Sequence, residues 1–128
     1  MDWHDGALAL AGIIGSGVAV IHGVIVQRRM VEPIQGFTTK QMPRSLRQLV
    51  PGLLHFSTFN WFVGGLALLA CAFAGGREAG LAVGVLVGSS YLYGAIGNCW
   101  ASRGRHIGWA LYVVAVGLIG YSQARPGG

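Results

Sequence analysis

Between residues 49 and 74 the chain carries no Asp, Glu, Lys or Arg, and Leu, Phe, Val, Ala and Gly fill most of the run. About 20 such residues in a row suffice to carry a helix across the hydrocarbon of a bilayer. Three more charge-free runs accompany it, at about 6–27, 79–100 and 107–121. In lipid the backbone N–H and C=O groups must be satisfied within each segment, so all four runs are expected as helices. The full chain of 128 residues holds four such spans and short connections. The expected fold class is all-α: an integral membrane up-down four-helix bundle, a single domain whose short turns make neighbours antiparallel.

Composition argues the same way. Charged residues make up 10% of the chain, against a usual share of about 25%. Hydrophobic residues reach 53%, there are 22 glycines, and the mean hydropathy is +0.57. A water-soluble domain this short would be left with sticky apolar patches. The formal charge of +5 does not indicate nucleic acid, because the basic residues flank apolar runs instead of forming an aromatic-interleaved surface.

The amino terminus, MDWHDG, is acidic, unlike the positive start of a secretory signal, so the first span is expected to be retained. Along it Ala7, Ala11, Gly15, Ala19 and Gly23 recur at every fourth position, a small-residue stripe that lets a neighbouring backbone approach. Arg28 and Arg29 open a polar loop over 28–48, where Pro33, Gly36 and Pro43 argue against a continuous helix. Within it, 43–48 reads as a short interfacial helix turning Arg44, Arg47 and Gln48 toward headgroups. Pro51 and Gly52 then fall in the first turn of the second span, where proline is tolerated. The third span carries Gly80, Gly84 and Gly88 at the close-packing interval, and Ser90, Gly94, Asn98 and Ser102 as a more polar stripe.

The first connection holds Arg28, Arg29, Lys40, Arg44 and Arg47 and the third holds Arg103 and Arg105, whereas the other side has Arg77 and Arg125. This asymmetry puts the first and third connections in the cytoplasm and both termini outside. Trp3, Trp100 and Trp109 fall near the interfaces, and Trp61 lies deeper. Cys71 and Cys99 fall toward opposite faces, too far apart for a disulfide, and read as small apolar fillers. No Cys/His zinc spacing occurs.

Polar side chains inside the spans are the candidates for function, since they are costly in lipid and turn toward protein or water. The segment LVPGLLHFSTFNW carries His55, Ser57, Thr58 and Asn60. His22 lies about 8 Å, at 1.5 Å per residue, inside the same boundary as His55, and Asn98 lies at a similar depth. His22, His55, Ser57, Thr58, Asn60 and Asn98 are thus expected to form a polar layer, with Asn60 roughly 140° from His55 around its helix so that the second span presents polar groups in two directions. Two accounts remain open. The polar groups bridge helices by hydrogen bonds, worth about 0.6 kcal/mol each, or His22 and His55 bind a haem, metal or quinone. No carboxylate or thiolate accompanies the pair, which weighs against a metal. His4 and His106 read as solvated interfacial groups, and Tyr91, Tyr93, Tyr112 and Tyr121 as anchors or packing residues. No acidic residue occupies the middle of a span, which counts against a proton-coupled transporter.

These residues carry a resemblance. His22 near the end of the first span, then Arg28 and Pro33, then His55, Ser57, Thr58 and Trp61 in an HxSTxxW segment resemble an uncharacterised family of small bacterial inner-membrane proteins with four helices. The likeness covers the first half of the chain, and the last two helices by hydropathy alone. Gln27 stands where the family pattern favours Glu, and Leu54 where an aromatic residue often precedes the His. The resemblance implies a bacterial inner-membrane location, the four-span topology and the pairing of His22 with His55, and no activity.

No nucleophile–base–acid set occurs, and the GIIGSG run lies inside a span instead of after a strand, so no enzyme and no catalytic residue are expected. The expected role is an accessory or assembly component. It packs against the bilayer, against other membrane subunits or against itself through glycine-rich faces. The alternatives are a redox module at His22 and His55, and a small oligomeric transporter or channel.

Overall fold

The computed structural model describes residues 1–37 and 42–124, with Phe37 described by its backbone alone. Lys40 and Arg125, both part of the charge asymmetry, lie outside the described residues. Helix α1 (Trp3–Val26) starts at a reciprocal cap: the Asp2 carboxylate accepts from the backbone N–H of His4 and Asp5, at 2.8 and 2.9 Å, and Asp5 accepts from Asp2 N–H. This satisfies backbone donors that have no partner inside the helix and sets negative charge at its positive end.

The helix does not stop at Arg28. It widens into a π turn, Gln27–Val31, and continues as α2 (Glu32–Phe37), so that Trp3–Gly36 is one rod of 34 residues. This corrects the expected loop over 28–48. A proline lacks the N–H for the carbonyl four residues back and crowds that carbonyl with its ring. One turn before Pro33 the backbone relaxes to the wider spacing, with Glu32 N–H donating to Gln27 O, and the helix accommodates the ring. The 43–48 segment is likewise no separate interfacial helix. It forms the first turns of α3 (Arg44–Ala74, 31 residues), which places Pro51 inside that helix.

Helix α4 (Arg77–Ser102) follows a turn at Gly75 and Gly76. Its far end is closed by two left-handed residues, Arg103 (φ 51°) and Gly104 (φ 75°), with Gly104 N–H bonded to Cys99 O at 2.8 Å. Helix α5 (Gly108–Gln123) completes the chain. The rod from α1, α3 and α4 are each long and apolar enough to cross a membrane. Helix α5 is apolar but has 16 residues, roughly 24 Å at 1.5 Å each, short of the ~30 Å of hydrocarbon.

Paired residues give the topology. Gly12 meets Gly65 and His22 meets Ser57; Trp61 meets Gly94 and Gly64 meets Val87; Gly80 meets Gln123 and Gly84 meets Ile119; His4 meets Tyr121 and Val18 meets Gly108. Each pair runs antiparallel, so α1, α3, α4 and α5 form an up-down four-helix ring. The described residues contain no strand. The core is Leu8, Val18, Trp61, Leu68, Val87, Tyr91, Tyr112 and Ile119, with alanines between them. At the α1–α3 crossing a Cβ on Gly12 would sit 2.6 Å from Gly65 O, so the backbones touch and a side chain is excluded from either position. Phe56, Phe59, Phe62 and Phe73 of α3 point outward. A water-facing surface rarely gathers so many large apolar groups.

Candidate functional site

The half of the bundle nearest the arginines gathers most of its polar side chains. His22 sits one turn before the end of α1 and is half-buried. Its Nε2 lies 3.4 Å from Ser57 Oγ on α3, and its ring tilts at 59° against the Trp61 indole, 4.8 Å between centroids. His55 faces a different partner. Its Nε2 lies 2.9 Å from Gln27 Oε1. A carboxamide oxygen only accepts, so His55 carries its proton on Nε2 and donates it. Gln27 begins the π turn, so the widened backbone and the His55 bond share one residue. Both histidines stand in the α1–α3 seam, but each has its own partner and neither bond joins the two rings.

Thr58 packs its methyl into the space left by Gly23, where a Cβ would lie 2.8 Å away. Its hydroxyl is buried and has no hydrogen-bond partner among the described residues. Asn98 donates to Gly94 O at 2.8 Å within its own helix, and reaches neither histidine by a bond of its own. It does line, with His22, His106 and Tyr112, a cavity of about 90 Å³. Asn60 stands apart from the layer. It is exposed midway along α3 and donates from Nδ2 to Ser90 Oγ at 3.0 Å.

At the centre stand two of the tyrosines expected as anchors or packing residues, and packing is the role they take. Tyr91 and Tyr112, both fully buried, stack at 4.8 Å and 21°, and Tyr112 meets Trp61 edge-on at 4.9 Å and 67°. Tyr91 donates its hydroxyl to Trp61 O at 3.0 Å. Gly15 makes room for that hydroxyl, and Gly94 makes room for the indole. The Tyr112 hydroxyl is buried with no partner among the described residues. His106 is exposed, as expected of a solvated group. It accepts from Gly108 N–H at its Nδ1, 3.1 Å away, which leaves Nε2 as its donor. Signals for these contacts existed only as glycines in small-residue stripes, which mark close approach without saying what fills it.

The chemistry these contacts offer is hydrogen bonding. Among the described residues no group of three or more His, Cys, Asp or Glu is placed to hold a metal ion. The residues do not fit a haem between His22 and His55. Its insertion would break the His55–Gln27 bond and displace Trp61. The adjoining cavity of about 90 Å³ is also well under the ~300–1,000 Å³ of ordinary ligand pockets. The purified protein is therefore expected to show no Soret band. In a double-mutant cycle, His55→Leu and Gln27→Leu are expected to couple by about 0.6 kcal/mol and by no more than about 1.7, measured by unfolding in mixed micelles. A larger coupling would show that this contact does more than set register.

Compared with known proteins, the chain matches no family model, no curated protein and no solved structure.

Proposed function

We propose that the chain is a multi-pass membrane protein and a non-catalytic helix-packing component of a membrane complex, meeting its neighbour through the α3–α4 seam. The observation that carries this reading is the Asn60–Ser90 pair. It lies midway along both helices and on the outside, where a bilayer is driest. A carboxamide has two N–H donors and two acceptor lone pairs, and the bond to Ser90 uses one donor. In hydrocarbon the remaining groups gain from a polar partner on an adjacent helix. Beside the pair lies a depression of about 250 Å³ floored by Gly64, Ala67 and Val87, wide enough to receive the ridge of another helix.

The glycines add support. Gly12, Gly15, Gly65 and Gly94 are used for contacts inside the bundle, but Gly17, Gly97, Gly117 and Gly120 face open space. The reading extends to location. Arg28, Arg29, Arg44, Arg47, Arg103 and Arg105 lie at one end, against Arg77 at the other among the described residues. That distribution supports a cytoplasmic arginine-rich end and periplasmic termini. The resemblance to small four-helix proteins points to the bacterial inner membrane.

Blue-native electrophoresis of mild-detergent extracts tests it. The wild type is expected to migrate in a complex, with copies of itself or with another subunit. Asn60→Leu is expected to weaken that complex roughly 5- to 30-fold, for a bond of about 1–2 kcal/mol, while circular dichroism stays helical. A wild type that runs only as a free monomer would sink the proposal.

A further inference from the structure

At the arginine-rich end a pocket of about 310 Å³ opens between the π turn with α2 on one side and the start of α3 on the other. Its polar wall includes the Arg44 and Arg47 side chains and the Gln48 amide, and its apolar wall includes Val31, Ile34 and Pro51. Val31 is 2% exposed, held inward by the widened turn. Among the described residues no carboxylate lines the pocket; Glu32, next in sequence to Val31, is exposed and outside its lining.

We infer that this pocket binds the phosphate of an anionic glycerophospholipid, with Arg44 and Arg47 on the headgroup and the acyl chains leaving along the apolar wall. The inference rests on the membrane part of the function proposed above and not on the α3–α4 seam. Three features carry it. Two guanidiniums in one wall favour a net negative headgroup over a zwitterionic one, and their planar forks match phosphate oxygens. The volume lies within the range of small-molecule pockets and has an apolar side that a free phosphate would leave unused. The location is the level at which headgroups meet the spans, where basic pockets between helices take up anionic lipid. The start of α3 adds to this, because Pro43 supplies no side-chain cap and leaves backbone N–H groups at a positive helix end.

The test uses the full chain purified in a neutral detergent and reads its thermal midpoint against added ligand. Short-chain phosphatidylglycerol is expected to raise the midpoint saturably, and short-chain phosphatidylcholine and inorganic phosphate to raise it far less. The double variant Arg44→Gln/Arg47→Gln is expected to need roughly 30-fold more phosphatidylglycerol. Arg103→Gln/Arg105→Gln, at the same end but outside the pocket, is expected to respond as the wild type does. An equal response to phosphatidylcholine, an equal response to phosphate alone, or an unchanged Arg44/Arg47 variant would each overturn the inference. Recovery of the protein from the soluble fraction of cells, without detergent, would instead overturn the membrane reading beneath it.

Discussion

Trp61→Ala is expected to destabilise the bundle by about 3–5 kcal/mol, the range for emptying a large aromatic site. Trp61 is 7% exposed, and its indole touches side chains or backbone from the other three long helices: His22 of α1, Gly94 of α4 and Tyr112 of α5. In the bilayer proposed above, lipid would not reward burial as water does, so the loss would be one of packing, and the cavity would open at the point where the ring of helices closes. Unfolding in mixed micelles measures the loss, and near-ultraviolet circular dichroism should flatten as Tyr91 and Tyr112 lose their fixed environment. Trp61→Phe fills more of the space and is expected to cost clearly less. A loss under about 1 kcal/mol for the alanine variant would mean that the aromatic centre does not hold the helices together.

Gly15→Leu is the second large effect, about 2–4 kcal/mol. A Cβ at that position would occupy the site of the Tyr91 hydroxyl. The ring cannot slide away, being stacked on Tyr112 and tied to the Trp61 carbonyl. Forcing the side chain in costs about 1–3 kcal/mol of strain, and the broken hydrogen bond adds about 1. The smaller change Gly15→Ala isolates the cause. Tyr91→Phe removes the obstructing oxygen, so the double variant is expected to be less destabilised than the two single losses added together. Gly17→Leu serves as the control, since a Cβ there would meet no other part of the bundle within 4 Å, and the monomer should tolerate it.

Much of the architecture could be read from the chain. Runs without Asp, Glu, Lys or Arg marked the helices, and the every-fourth-residue series of Ala7, Ala11, Gly15 and Ala19 marked a face that is buried in the structure. The extension of the first helix through Pro33 could not be read, because proline normally signals a stop and a single widened turn leaves no mark in composition. The separate partners of His22 and His55 were equally hidden. Depth along a helix follows from counting residues, but which side chain a histidine meets depends on rotation about the axis. Here Gln27 at the π turn supplies the acceptor for His55. The aromatic centre was hidden for a related reason: Gly15 and Gly94 announce two vacancies, and only the folded register shows that Tyr91 and Trp61 fill them.

The π turn also has a consequence for chain length. It holds one surplus residue, so everything beyond Val31 is wound out of phase with an ordinary helix by roughly 100°. Closing the turn to the regular pitch at constant chain length would rotate Val31 and Ile34 off the wall they share with Arg44 and Arg47, whereas deleting Arg29 would remove the surplus and keep both in phase with α1. His22, upstream of the change, would keep its place. The turn therefore acts as a gear between the two ends of this segment: a single inserted residue there should be felt at the arginine pocket before it is felt at the histidines, and a single deletion should be absorbed.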